Sequence, residues 1–245
     1  MKMNEPIGQA EVIDFKLNGE KVSALSGETI IQAAKRHGVD IPHLCYKEGM
    51  RPDGNCRACM VEIKGERVFA PSCCRAPSKD MEVSSVSPRA VHSQRLVLEL
   101  LKSDAPEADL KPGGNELRFW SDRLGVGRPR FEARHQPQQD ASHPAMWVNL
   151  DACIQCTRCV RACREEQVND VIGYAWRGSE SKIAFDFDDP MGASTCVACG
   201  ECVQACPTGA LAPAKMAYQV KADKTVDSVC PFCGVGCQLT YHVKD

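Results

Sequence analysis

One pattern constrains this chain more than any other: the run Cys-x2-Cys-x2-Cys-x3-Cys occurs twice. Cys153, Cys156, Cys159 and Cys163 form the first copy, within DACIQCTRCVRAC, and Cys196, Cys199, Cys202 and Cys206 form the second, within STCVACGECVQACP. Three thiolates this close in sequence wrap one corner of a [4Fe-4S] cubane, and in duplicated runs the fourth cysteine of each copy binds the other cluster. One cubane is therefore expected on Cys153, Cys156, Cys159 and Cys206, the other on Cys196, Cys199, Cys202 and Cys163. Disulfides and zinc are the alternatives, but neither calls for eight cysteines repeated in register. Cluster binding also contributes folding free energy, so small lobes with modest cores are expected.

A separate set lies upstream. Cys45, Cys56, Cys59 and Cys73 are separated by ten, two and thirteen residues. Four thiolates converging on two irons make a [2Fe-2S] site. The loop carries Gly49, Pro52 and Gly54, and glycine permits the backbone turns and close approach that wrapping a cluster needs. A zinc site built on Cys56 and Cys59 with two outlying cysteines is the alternative.

The residues between these sets suggest small α+β units. EVIDFKLNGEKVSA at 11–24 reads as two strands turning at Asn18-Gly19. TIIQAAKRH at 29–37 reads as a helix with Ile30, Ala33, Ala34 and His37 on one face, ending at Gly38. MVEIKGERVFA reads as a second strand pair turning near Gly65, and VHSQRLVLELLK at 91–102 as a helix with i,i+4 pairs Leu96/Leu100 and Val97/Leu101. Residues 103–146 read as a linker or as a strap docked on a partner, with a short helix from Asn115 to Leu124 before Gly125. VIGYAW and KIAFDF read as a hairpin flanking RGSES. The expected organisation is 1–90, a [2Fe-2S] domain; 91–146, helix and linker; 147–218, a two-[4Fe-4S] domain; and 219–245, an unfinished cluster domain.

Composition narrows the partners. Thirty basic and 32 acidic residues leave a net charge of -2 in 245 residues, which gives no global reason to bind nucleic acid. Stretches such as LVLELL at 96–101 are too short to span a bilayer. MKMNEPIGQAEVIDF shows neither an apolar signal core nor twin arginines. A cytoplasmic setting is expected, where thiols stay reduced and 16 cysteines point to metal rather than disulfides.

IPHLCYKEGMRPDGNCRACMVEIKG and PSCCRAP resemble the [2Fe-2S] domain of the large iron–sulfur subunit of respiratory complex I, of NAD-reducing hydrogenases and of NAD-dependent formate dehydrogenases. The resemblance implies a β-grasp ferredoxin fold followed by a bacterial-type two-[4Fe-4S] ferredoxin fold. It also implies that the last [2Fe-2S] ligand is Cys73, two residues after Pro71, which leaves Cys74 spare. QVNDVIGYAWRG, AFDFDDPMGASTCVACGECVQACPTGAL and VCPFCGVGCQLTYHVKD are similar to the α subunit of cytoplasmic, NAD-dependent molybdenum or tungsten formate dehydrogenases. That similarity implies an electron relay between a molybdopterin catalytic domain and a flavin/NAD subunit. The diaphorase small subunit of an NAD-reducing hydrogenase is the alternative. Residues 75–152 hold no cysteine, so the histidine-plus-three-cysteine cluster of complex I and the hydrogenases is not expected.

Cys230, Cys233 and Cys237 resemble the cluster site that opens a pterin-dependent catalytic domain. Eight residues follow Cys237, so a further [4Fe-4S] is expected there only if another segment completes it. No GxGxxG, Walker A or nucleophile–base arrangement occurs, and the chain alone is expected to lack a substrate site. His43, two residues from Cys45, and Cys74 are read mainly as packing residues.

Overall fold

The computed structural model describes residues 12–111, 114–134, 137–214, 222–231 and 234–244. Cys233 lies outside them.

Asn18 and Gly19 both take positive φ, 53° and 90°, the geometry of a primed two-residue turn. They join β1 (Val12–Leu17) to β2 (Glu20–Leu25) in the expected antiparallel register. Helix α1 (Ile30–Arg36) follows, capped at Thr29 by a reciprocal bond with Gln32 and stopped at Gly38. β3 (Met60–Ile63) and β4 (Ala70–Pro71) pair across the Gly65 turn. β5 (Glu82–Ser84) then inserts between β1 and β3, giving the order β2-β1-β5-β3-β4 with β1 and β5 parallel. Phe15, Leu17, Ala24, Ile30, Ala33, Ala34, Val61, Ile63 and Val83 pack between sheet and helix.

Three expectations need correction here. His37 is not on the buried face of α1; it is the C-cap, exposed, with Nε2 on the Ser23 carbonyl at 2.9 Å. The helix at 91–102 begins earlier. As α2 it spans Pro88–Ser103, because Ser87 caps it by accepting from the Ala90 N–H and Pro88 fits its first turn. Its fully buried line is Ala90, Gln94 and Leu98; of the two i,i+4 pairs, Val97 and Leu101 pack against the cluster that holds Leu98, whereas Leu100 is exposed. Buried Gln94 is tolerated because its amide donates to the carbonyls of Met60 and Ser85.

Nor are residues 103–126 a free linker. The helix anticipated there forms as α3 (Glu116–Arg123), with Asn115 accepting from the Arg118 N–H and Gly125 at φ 63°. Leu117 and Trp120 join Leu44, Cys45, Leu98, Ile154 and Cys156 in one apolar cluster. The segment is thus docked on its own chain, between the two cysteine-rich lobes.

The second lobe is closed by β6 (Met146–Val148) pairing with β9 (Leu211–Pro213). Inside it, α4 (Arg158–Arg161) runs on as a wider turn through Glu166. The hairpin β7 (Ile172–Ala175) and β8 (Lys182–Phe185) follows as expected, then α5 (Glu201–Ala205). β10 (Lys224–Val229) and β11 (Gln238–Val243) form a separate hairpin. Among the described residues no helix is long and apolar enough to cross a membrane.

Candidate metal centre

The first-turn N–H groups of α1 have no intrahelical acceptors. Two of them bond to the chain around Cys73: Ile31 donates to the Ser72 carbonyl at 3.0 Å and Ile30 to the Arg75 carbonyl at 2.8 Å. This fixes Cys73, fully buried, against the loop that carries the other three cysteines. Within that loop Gly49, Gly54 and Arg57 take positive φ. The Cys45 N–H donates to the Cys56 sulfur at 3.3 Å.

The four sulfurs are close enough to shift one another's acidity. The Cys56 thiol, and after it the Cys73 thiol, donates to Cys45 and holds it down to about 2. Cys73 likewise lowers Cys59 to about 7. Cys73 itself is pushed far up by donating to Cys45 and Cys59. Such a set concentrates negative charge where a cation must balance it, which is the donor chemistry of a [2Fe-2S] cluster. Cys74 is exposed, with its sulfur 3.6 Å from that of Cys73.

The duplicated runs fold alike. Gln155 and Thr157 in the first copy take positive φ, 55° and 61°; Ala198 and Gly200, at the matching positions, take 57° and 78°. This left-handed pair curls the chain around a common point. Cys153, Cys156, Cys159 and Cys206 line one cavity with Leu150, Ile154, Ile183 and Pro207. Burial pushes Cys153 up to about 11 and Cys156 up to about 12, and the charge of Cys206 adds to both. Cys202 is pushed up to about 12, first by burial and then by Cys196, Cys199 and Cys163. Cys206 therefore lies with the first three cysteines of the first copy, and Cys163 is near enough to Cys202 for its charge to be felt there. Cysteines so unfavourable as isolated thiolates suit a cluster whose iron supplies the missing positive charge. Among the described residues no group of three His, Cys, Asp or Glu side chains closes on a single metal ion.

Of the third set, Cys230 donates its N–H to the Cys237 carbonyl at 2.8 Å, across the open end of the β10–β11 hairpin. Cys233 falls outside the described residues, so the geometry of the trio is not defined. His43 packs edge-on to Tyr46 and against Trp120, with Nδ1 on the Ile41 carbonyl at 2.7 Å.

Sequence reasoning missed Arg158 and Arg161. Both project from α4 into the seam between the lobes, and each is 3% exposed. Arg158 pairs with Glu116 at 2.6 and 2.7 Å and also donates to the Tyr46 carbonyl. Arg161 donates to the carbonyls of Arg51 and Cys45, both at 2.5 Å. Asn55 reaches the Gln155 carbonyl at 3.3 Å, and Thr157 donates to Asp53 at 2.5 Å. The Cys45 loop is thereby fastened to the first cysteine run. The available signal was the repeat itself, whose second copy has Glu201 and Gln204 at these two places.

The fold and the cysteine sets define an iron–sulfur protein of the oxidoreductase class, with a [2Fe-2S] domain followed by a two-[4Fe-4S] domain. Family descriptions match in the same order. Residues 10–88 match a 2Fe-2S iron–sulfur cluster binding domain, 152–210 a 4Fe-4S dicluster domain, and 223–245 a molybdopterin oxidoreductase Fe4S4 domain. The chain belongs with the iron–sulfur region shared by subunits of NADH-quinone oxidoreductase and of formate dehydrogenase-like molybdopterin oxidoreductases.

It is 32% identical over 243 residues to an NADH-quinone oxidoreductase subunit of Rhizobium meliloti strain 1021, covering 95% of this chain and 28% of that protein. It is 25% identical over 273 residues to a protein of Staphylococcus haemolyticus strain JCSC1435 named provisionally as a formate dehydrogenase, covering 94% and 28%. A chain of the NAD+-reducing [NiFe]-hydrogenase crystal structure in its H2-reduced state superposes with a TM-score of 0.76 at 29% identity, covering 82% of this chain and 87% of that one. The chain thus spans between a quarter and a third of the length of these two curated relatives, 28% of each.

Proposed function

We propose that this chain is the electron-relay segment of an NAD-linked formate dehydrogenase complex, between a molybdopterin catalytic domain and a flavin/NAD-binding subunit. When bound, the clusters supply one-electron redox chemistry, and the protein sets their spacing and potentials. In this reading Cys45, Cys56, Cys59 and Cys73, not Cys74, hold the [2Fe-2S] cluster. Cys153, Cys156, Cys159 and Cys206 hold one cubane, and Cys196, Cys199, Cys202 and Cys163 hold the other. Cys230, Cys233 and Cys237 begin a further site that another segment completes. The domain limits are those given by the cysteine sets: 1–90, 147–218 and 219–245, with 91–146 as the docked connection.

The residues of the seam do the positioning. Arg161, Asn55 and Thr157 hold the Cys45 loop on the first cysteine run, and Leu44, Ile154 and Trp120 exclude water between them. The observation that carries the formate reading is the molybdopterin oxidoreductase Fe4S4 match directly after the dicluster domain. A second reading, the diaphorase small subunit of an NAD-reducing hydrogenase, draws on the structural similarity to the hydrogenase chain. A cytoplasmic setting belongs to both.

The test is reduction of the purified, cluster-loaded chain by a pterin-dependent formate oxidase module and, separately, by a hydrogenase module. Formate-dependent bleaching of the visible absorption supports the first reading. Bleaching only with hydrogen supports the second. Neither donor alone should give NAD reduction without a flavin subunit.

A further inference from the structure

The two copies of the cysteine run carry different charge. Arg158 matches Glu201, and Arg161 matches Gln204. A buried guanidinium is costly unless an opposite charge faces it. Glu116 meets that need for Arg158 with two bonds, and Glu201 in the second copy is itself 3.8 Å from Lys47. Arg161 is matched less well. Its Nε, like that of Arg158, has no hydrogen-bond partner, but the one carboxylate within 4.0 Å of Arg161 among the described residues is Asp53, at 4.0 Å. Its Nη2 bonds to the Cys45 carbonyl at 2.5 Å and lies 3.5 Å from the Cys156 carbonyl. Lys111 adds a second cation, its Nζ donating to the Cys206 carbonyl at 2.6 Å. Cations thus sit on the carbonyls of three cysteines from the first cubane and the [2Fe-2S] set. At Cys196, Cys199 and Cys202 no such bond occurs among the described residues.

We propose that Arg161 and Lys111 bias the relay. They stabilise added negative charge at the centre of Cys153, Cys156, Cys159 and Cys206, and Arg161 does the same at the centre of Cys45, Cys56, Cys59 and Cys73. Both centres are thereby raised in reduction potential above the cubane of Cys196, Cys199, Cys202 and Cys163. An electron shared by the pair of cubanes settles on the half that faces the [2Fe-2S] lobe. The proposal rests on the ligand reading above. Two effects oppose it: burial disfavours added charge, and solvent at exposed Cys199 favours it at the other cubane. The cations prevail because they are fixed on the ligands' own carbonyls, in a low-dielectric seam where fixed charge acts most strongly.

The experiment is a potentiometric titration of the cluster-loaded full chain, with each centre followed by its EPR signal. Arg161→Gln should make reduction of the first cubane and of the [2Fe-2S] centre about tenfold less favourable, which is 59 mV for one electron. The second cubane should move much less. Arg161→Lys, which keeps the charge, should retain most of the native value. Lys111→Gln should lower the first cubane and leave the [2Fe-2S] centre in place, and it keeps the test alive if Arg161→Gln does not load. Equal shifts from Gln and Lys at 161, or equal shifts of all three centres, would overturn the proposal and leave Arg161 as a clamp. A native chain without three EPR-active centres fails the ligand reading and the proposal with it. Three centres indifferent to both substitutions fail the proposal alone.

Discussion

Arg158 and Glu116 form a two-point ion pair, Nη1 to Oε1 at 2.6 Å and Nη2 to Oε2 at 2.7 Å, that ties α4 of the cysteine-rich lobe to the first turn of α3. Arg158 is 3% exposed, whereas the Glu116 side chain is 35% exposed. Removing the carboxylate strands a buried charge, which in fully buried pairs costs roughly 3–5 kcal/mol. With Glu116 partly solvated, Glu116→Ala should cost about 2 kcal/mol in a chemical denaturation of the loaded chain. Glu116→Gln should cost less, because its amide oxygen still accepts from Arg158. Equal stability of Glu116→Ala and the native chain would show that the pair does not hold the seam.

A second contact checks the same docking from the other side. Gly209 has φ +83°, and a Cβ there would lie 2.9 Å from the Leu110 carbonyl oxygen. Gly209→Ala should therefore lift the strap as well as strain the backbone, costing about 2 kcal/mol. Limited proteolysis should then cut within residues 105–111. Gly19, at φ +90° with no atom within 4 Å of its added Cβ, is the control. Gly19→Ala should cost about 1 kcal/mol and leave the strap protected.

Much of this arrangement was legible in the residues. Asn18-Gly19 specified its hairpin because both residues accept positive φ, and Asn115 and Gly125 marked both ends of α3. The cysteine spacing was the basis for grouping Cys206 with the first run and Cys163 with the second, the ligand reading proposed above; the structure lines the cavity of Cys153, Cys156 and Cys159 with Cys206 as well. Short or long-range features were harder to see. β5 has three residues, too few to show a period, and it pairs between β1 and β3, which lie far from it in sequence. The periodicity of α2 did not mark Gln94, a polar residue that occupies a core position with its amide bonded to two carbonyls. Arg158 and Arg161 belong to no motif that marks them as buried. Their burial follows from contacts across more than a hundred positions, which no local pattern encodes.

Acid should loosen the loop beyond α3. Arg130 donates to both oxygens of Glu99 on α2, at 2.7 and 2.8 Å, and holds that carboxyl down to about 2. A depressed acid contributes stability above its unfolded pKa, about 4.3, and loses it as pH falls toward the folded value. The tether should thus weaken between about pH 4 and pH 2. Side-chain carbon NMR should give Glu99 a midpoint near the low value, and Arg130→Ala should return it to the ordinary carboxylate range. An ordinary midpoint in the native chain would exclude the pair in solution.

The crossing of ligands between the two cysteine runs is open to a reciprocal test. Cys206 follows the second run in sequence, yet it lines the cavity of Cys153, Cys156 and Cys159. Cys163 follows the first run, yet its charge is felt by Cys202 together with Cys196 and Cys199. If ligation follows this geometry, Cys206→Ser should alter the EPR signal of the cubane near the [2Fe-2S] lobe and spare the other. Cys163→Ser should do the reverse. The assignment can be made independently of the cysteines. The nearer cubane is the one whose relaxation couples to the [2Fe-2S] signal, because Cys45 and Cys156 share one apolar cluster. Iron analysis supplies the check on loading. The native chain should hold about ten irons, from one binuclear and two tetranuclear clusters. Both serine variants should keep the [2Fe-2S] signal. If Cys206→Ser disturbed only the farther cubane, each run would bind its own cluster and the interlocked arrangement would be wrong. If both cubanes collapsed in both variants, the crossing would be structural glue for the whole lobe, and serine would have to be replaced by a weaker ligand change, such as selenocysteine, to separate the two centres.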